Sequence, residues 1–400
     1  MEIITMEEIV FSVGDHGVEG MENLRLLLQK FEQQYEIHVR LDIIPYATLR
    51  WSSLVEAALY HTGPDVSEVG NTWVGDLVRM EALRPFQPEE VDRITGAAHY
   101  FDVVWQSSIR MNQGLKTVYS IPWSSDTRAI FYRRDLLAAA GIDEATAFVS
   151  LAQLEKTLSL LAENSDLMPL ALPTRRSNMT LHCIATWVWG AGGDFLTPDG
   201  TDLAFNGPQA LEGCKAYFRL KRFLGKDARN LEDYESDDAF DNGKAAVLLS
   251  GFWVPTYRMI AEVRKNLGGV PMPGTGFVGG ADMVIWRHSR HELSALKLIQ
   301  YFHTKEVSKL VYPWFGLPIS ENGWSNPPFD TDIYQVFRTA IKKGRGFPTT
   351  LLWGLVEKRL TDTLADIWVE LLREPDTSSD AIVENHLNEL ARRMKLTLDL

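Results

Sequence analysis

The chain is poor in the residues that build metal clusters and covalent staples. Its 400 residues hold two cysteines, Cys183 and Cys214. That is too few for a disulfide framework or a Cys-based zinc site of the usual kind, and both read as small buried hydrophobes. A basic block is missing too. Lys and Arg number 40 against 53 Asp and Glu, a formal net charge of −13, which makes nucleic acid and anionic membrane poor partners. No run of about 20 apolar residues is present to span a bilayer, so no direct membrane insertion is expected. The opening "MEIITMEEIVFSVGDHG" has neither a basic n-region nor an apolar stretch of about 7–15 residues, and no secretory leader is visible in it. Internal repeats and low-complexity tracts are also lacking. What remains is a globular composition, 45% hydrophobic and 23% charged. The chain exceeds the roughly 250–300 residues at which one hydrophobic core stops growing, so two lobes are expected.

Apolar residues alternate between two periods. "IVFSV" at 9–13 reads as a short strand and Gly14 to Gly20 as a loop; Leu24, Leu27, Leu28 and Phe31 then fall at i, i+3, i+4 and i+7 on a helix. In "IHVRLDIIP", Ile37, Val39, Leu41 and Ile43 alternate with polar residues until Pro45 ends the strand. This β, α, β order indicates a parallel sheet covered by helices. Ligands bind outside the carboxyl ends of such strands, so loop 14–20 is a candidate site wall. Further on, "LEKTLSLLAEN" and "NGPQALEGCKAYFRLKRFLG" read as helices, the second capped by Asn206 with Pro208 in its first turn and Leu211, Cys214 and Phe218 on one face. "AAVLLS" and "DMVIW" read as buried strands. Leu293, Leu296, Ile299 and Phe302 form one helix face, and the chain beyond Asp332 reads as mostly helical.

Catalytic and metal motifs fail on context. "GTGFVG" at 274–279 matches G-x-G-x-x-G, but a dinucleotide site needs a strand before the motif and a helix starting on it. Here "GVPMP" precedes it and a strand follows, so the segment reads as a flexible crossover. No G-x-S-x-G elbow, Walker A loop or H-E-x-x-H helix occurs. His288 and His291 have Arg287 and Arg290 beside them, which disfavours a cation; no metal and no cofactor are expected. Asp65, Glu68 and Asp126 are the carboxylates from which a glycosidase could be built. Each has a simpler role as a turn or hydrogen-bonding residue.

The positive signal is aromatic. Of twelve tryptophans, several sit in loop-like surroundings: Trp73 in "GNTW", Trp123 in "IPWSSD", Trp187 and Trp189 in "TWVWGAGG", Trp253 in "GFWVP" and Trp314 in "PWFGLP". A flat ring complements the apolar face of a sugar, while neighbouring Asn, Asp and Arg satisfy its hydroxyls. Any one of these rings has core packing as its alternative. As a set they point to a binding cleft.

Several segments in order carry a family resemblance. They are "GPDVSEVGNTWVGDLVRMEALRPF", with Glu81-Ala82 at its usual Met/Gly-type pair, "YSIPWSSDTRAIFYRRDLLAAAGID", "FNGPQALEGCKAYFRL", "FDNGKAAVLLSGFW", "GVPMPG…GFVGGADMVIW" and "ALKLIQYFHTKE". Together they resemble the extracytoplasmic solute-binding proteins of ABC importers, family 1, the maltose-binding-protein-like subgroup that takes sugars and oligosaccharides.

The resemblance implies an α/β, two-lobed periplasmic-binding-protein fold of type II, each lobe a mostly parallel sheet flanked by helices. Lobe 1 would be residues 1–124 plus 282–315 and lobe 2 residues 128–277 plus 320–400, with hinge crossings near 124–128, 276–282 and 315–320. It implies binding of a mono- or oligosaccharide in the cleft and delivery to permease subunits, without catalysis, by a monomer. Asn71, Thr72 and Trp73 would form the first-lobe wall, and Trp123, Asp126 and Arg128 the hinge side. Trp187, Trp189, Gly251 and Trp253 would line the second lobe, with Asp282 and Trp314 where the chain returns. The implied location is extracytoplasmic, periplasm or cell surface, for a mature or trimmed chain. A glycosidase and a cytoplasmic sugar sensor are the alternatives.

Overall fold

A computed structural model describes residues 6–44, 47–94, 96, 99–112, 115–225, 228–256, 259–350, 352–373 and 378–398. Pro45, expected to end the second strand, lies outside them. The strands are β1 (Glu7–Gly14), β2 (Ile37–Ile44), β3 (Val66–Gly70), β4 (Ile109–Asn112), β5 (Leu115–Val118), β6 (Ile121–Thr127), β7 (Ala129–Arg133), β8 (Met168–Ala171), β9 (Ala245–Ser250), β10 (Leu267–Pro271) and β11 (Val278–Ile285).

By contacts the chain forms two compact units. The first is Met1–Asp126, Val278–Thr331 and Thr349–Gly354; the second is Thr127–Phe277, Asp332–Pro348 and Leu355–Leu400. Residues 320–331, expected in the second lobe, therefore group with the first. The cause is local packing: Ser125 and Leu317 exchange two N–H···O bonds of 2.8 Å, and Phe329 sets its ring against Trp324 at 5.8 Å and Tyr312 at 6.4 Å.

In the first unit the sheet order is β2-β1-β3-β11-β6, with β1 parallel to β2 and β3 and β11 antiparallel to β3. The helix Gly17–Tyr35 crosses from β1 to β2 and buries Leu24, Leu27, Leu28 and Phe31, the spacing that puts four side chains on one face. It starts earlier than expected, so the loop after β1 is short: Gly17 takes φ 78°, and its N–H is accepted by the Asp15 side chain at 2.9 Å. The helix ends where Glu36 adopts the left-handed conformation. Trp123, expected on the cleft, is 1% exposed. Its ring lies 4.9 to 5.9 Å from Phe315, Phe302 and Phe11, on a strand whose residues 121–125 are all buried. On the helix Glu292–Phe302, Leu296, Ile299 and Phe302 are buried, but Leu293 is 78% exposed in the first turn.

The sheet of the second unit has the order β10-β7-β9-β8. It is mixed rather than mostly parallel: β7 runs antiparallel to both β9 and β10, and β8 and β9 are parallel. After the short helix Ala261–Lys265 the chain does not pair with β9 but lays β10 on the other edge of β7, in register from Leu267 opposite Arg133 to Pro271 opposite Ala129. β7 and β9 are buried along their whole length. The helix Leu151–Asn164 is capped by Ser150, whose side chain accepts from Gln153 N. The helix Pro208–Phe218 takes Gly207 as its N-cap, not Asn206; the Asn206 amide instead donates to Asn388 at 3.1 Å. Gly213 on that helix allows a close helix approach, since a Cβ there would stand 2.5 Å from the Trp187 carbonyl oxygen. Cys183 and Cys214 are free and buried. A strand, β10, does precede "GTGFVG", but β11 follows it where a dinucleotide site needs a helix.

Removing the Trp123 ring leaves a cavity among three phenylalanines. Trp123→Ala is expected to destabilise the first unit by about 3–5 kcal/mol, read by chemical denaturation. A change below about 1 kcal/mol, the size seen for surface substitutions, would show the ring to be solvated.

Candidate functional site

The carboxyl ends of β1 and β3 carry a charged cluster in the first unit. Glu68 on β3 is buried; it accepts the Gly14 N–H at 3.0 Å, lies 3.2 Å from His16 Nε2, and pairs with Arg50 Nη2 at 2.9 Å. Burial alone would raise this carboxyl, but Arg50, His16 and the Gly14 N–H outweigh it and hold it at about 2. The Arg50 guanidinium carbon also lies 5.9 Å from the Trp73 ring, which packs against Trp51 at 5.6 Å.

Asn71, Thr72 and Trp73 form one turn of 3-10 helix directly after β3. Asn71 is buried and its carbonyl accepts from the buried Arg110 at 3.2 Å, which pins the turn. Thr72 and Trp73 are partly exposed. Asp126, at the end of this unit's first segment, is also partly exposed. Trp314 is 39% exposed beside Gly20, at the end of the helix Lys305–Phe315.

Two expected acids are interior. Asp282, 1% exposed, accepts from Ser120 Oγ at 2.5 Å and Ser108 Oγ at 3.2 Å, and burial pushes its carboxyl up to about 6 despite those bonds and Arg110. It cannot reach a ligand hydroxyl, because its position on β11 turns the side chain inward. Asp65 bonds the Val10 N–H at 2.8 Å and the Ser289 hydroxyl at 2.6 Å, a structural tie.

In the second unit Trp187 is core, edge-on to Tyr217 at 5.1 Å. Trp189, two residues on along the helix Asn178–Gly190, points roughly 200° away around the axis. It is partly exposed, donates to Asp194 at 3.3 Å and has the Arg345 guanidinium 5.1 Å over its ring. Arg128 is buried and reaches His182 Nδ1 at 2.7 Å. Burial, then Arg128 itself, keeps that imidazole neutral, so its lone pair accepts. His182 stacks on Phe277 at 4.0 Å. Arg128 thus bonds a histidine of its own unit.

Trp253 is partly exposed just past β9. Its Nε1–H donates to Asp237 Oδ2 at 2.8 Å, and the Arg128 guanidinium carbon lies 5.3 Å from its ring. Gly251 has a steric cause: a Cβ there would stand 2.1 Å from the Trp253 ring. Trp253, Asp237, Asp233, Tyr234, Glu232 and Arg176 line a hollow of about 250 Å³. Arg50, His16, Asp237 and His182 are additions that sequence did not single out. Asp237 sits in "DYESDDAFDNG", where five acids hide one another. Among the described residues no His, Cys, Asp and Glu group is arranged to hold a metal, and no helix is long and apolar enough to cross a membrane.

Two α/β units joined by repeated crossings, with partly exposed tryptophans beside ion pairs and hydrogen-bonded carboxylates, have the two-lobed fold of solute-binding proteins. The family model for bacterial extracellular solute-binding proteins matches residues 15–309, and the chain belongs to that family. The fold is similar to the sugar-binding protein MalE from the phytopathogen Xanthomonas citri, with a TM-score of 0.80, 24% identity and coverage of 98% of this chain and 99% of that one. Maltose-bound MalE3 of T. maritima gives 0.79 at 18% identity over 96% and 98%. The diacetylchitobiose binding protein DasA of Streptomyces coelicolor is 21% identical over 280 residues, 66% of this chain and 62% of that protein.

Glu68 sets a pH dependence. Its folded value lies below the ordinary 4.5, so its stabilisation is complete above that pH and is lost as pH falls through about 2. Glu68→Gln is expected to cost on the order of 3 kcal/mol at about pH 7, and the gap to wild type should narrow in denaturation series run to lower pH. A gap that stays constant contradicts this account of the cluster.

Proposed function

We propose that this protein binds a mono- or oligosaccharide and hands it to the permease of an ABC importer, outside the cytoplasmic membrane and as a monomer. The observation that carries the sugar reading is the pair of fixed, partly exposed rings: Trp73 beside Arg50 in one unit and Trp253 beside Asp237 in the other. An indole face takes the C–H face of a pyranose, and the charged and amide groups around it bond hydroxyls. Family membership and the diacetylchitobiose and maltose named for its relatives support the same class of solute.

Contacts from both units to one sugar would favour the closed form, since a solute touching one unit has no differential affinity for closure. Thr72, Trp73 and Asp126 are the proposed contacts from the first unit, and Trp253, Trp189 and Tyr234 those from the second. The reading is binding without turnover. Glu68, held ionised at about 2, has no proton to give as a general acid near neutrality, and both Asp65 oxygens are bonded inside the fold.

A thermal-shift panel of maltose, diacetylchitobiose, monosaccharides, amino acids and peptides tests the class. A saccharide should raise the melting temperature, because a ligand of the folded state stabilises it by mass action, and it should be recovered intact after long incubation. A shift with amino acids or peptides alone defeats the saccharide assignment, and cleaved sugar in excess of protein defeats the binder. Trp253→Ala should weaken the responding sugar by about tenfold or more, with the melting temperature of the sugar-free protein little changed.

A further inference from the structure

We propose that Asp237 is a positioning residue for Trp253, fixing the indole plane before a sugar arrives. The proposal rests on the reading of Trp253 as a sugar platform. One Asp237 oxygen takes the indole N–H at 2.8 Å and the other takes the Ser250 hydroxyl at 2.7 Å. The carboxylate is buried at 3% exposure, on the helix Asp233–Asp241. Ser250 ends β9, buried along its length, so the second bond anchors the carboxylate to the sheet. Gly251 leaves room for the ring to fold back, and Arg128 covers it at 5.3 Å.

Rotating the indole would break a charge-assisted bond and leave a buried carboxylate oxygen unpaired. The ring therefore has one favoured orientation, and less conformational freedom remains to be lost on binding.

The arrangement is sensitive to protonation, because a carboxylic acid keeps one good acceptor and gains a donor. Burial raises the Asp237 carboxyl to about 6 against the Trp253 and Ser250 bonds, with Asp233 adding to the rise and Arg128 opposing it. The other charged groups nearby are Asp233, Asp238 and Asp241 on its own helix, Arg128 with neutral His182, and Glu232 and Arg176 at the hollow. Arg176 is paired with Asp362, and Asp241 is itself raised to about 7 by burial and by Asp237 and Asp238. β8 and β9 contribute no titratable side chain.

The test follows the Trp253 indole N–H in proton–nitrogen correlation spectra of the full chain without sugar, assigned by its loss in Trp253→Phe. In wild type the resonance should shift with a midpoint near pH 6, the value about which Asp237 titrates, and in Asp237→Asn the step should vanish. A resonance that ignores pH in wild type, or titrates alike in both, overturns the proposal. In parallel, calorimetry with maltose and diacetylchitobiose should show Asp237→Ala weakening whichever binds by about tenfold or more, with Asp237→Asn recovering most of the loss because its amide oxygen still accepts the indole N–H. Undiminished affinity in Asp237→Ala overturns it as well. If neither sugar binds while the resonance titrates, the sugar reading fails and the positioning of Trp253 stands.

Discussion

An indole left partly in water contributes to recognition only when something other than close packing holds it, because a ring free to rotate must be ordered by the solute it binds. Each unit meets this constraint with a guanidinium near the ring and a further holder of its own. Around Trp253 the holders are a carboxylate on the ring N–H, a guanidinium over the ring and a glycine beneath it. Around Trp73 they are the Trp51 ring and Arg50, which Glu68 fixes from behind. The two platforms are built differently, so neither is a by-product of the other's fold.

Three buried carboxylates show how compensation decides what an acid can do. Glu68 has a guanidinium, an imidazole and a backbone N–H, and sits far below its ordinary range. Asp282 has two serine hydroxyls with Arg110 nearby, and rises to about 6. Asp237 has one hydroxyl and one indole N–H, and rises to the same level. Burial is the largest influence on all three. The difference lies in whether a full positive charge touches the carboxylate, since neutral donors rarely repay the loss of water. The first acid is therefore fixed as a charge, while Asp237 sits where ordinary pH changes reach it.

Much of the fold was legible because hydrophobic period reports burial directly. The body of the helix Gly17–Tyr35 and the strand β2 follow from apolar spacing, and β9 from an unbroken apolar run. Helix starts were less visible: the first helix begins at Gly17, beside the Asp15 side chain that accepts its N–H, and Gly207 stands where Asn206 was expected as a cap. In the site, composition identified tryptophans as a class but could not tell which way each faced. Trp187 and Trp189 are two residues apart on one helix, and only the inward or outward direction separates core from surface. Trp123 and Asp282 lie on strands with buried residues on both faces, so loop-like neighbours in the sequence did not mark them as interior. Asp237 was hidden for another reason: its role depends on Trp253, sixteen residues later, and an acid within an acidic run carries no local mark.

The central claim is that one saccharide touches both units and that this double contact drives closure. Small-angle X-ray scattering of the protein, free and saturated with the saccharide that raises its melting temperature, tests it most directly. The account predicts a smaller radius of gyration with sugar in wild type and no such change at the same concentration in Trp253→Ala. Saturation with sugar that leaves the wild-type radius unchanged would contradict it.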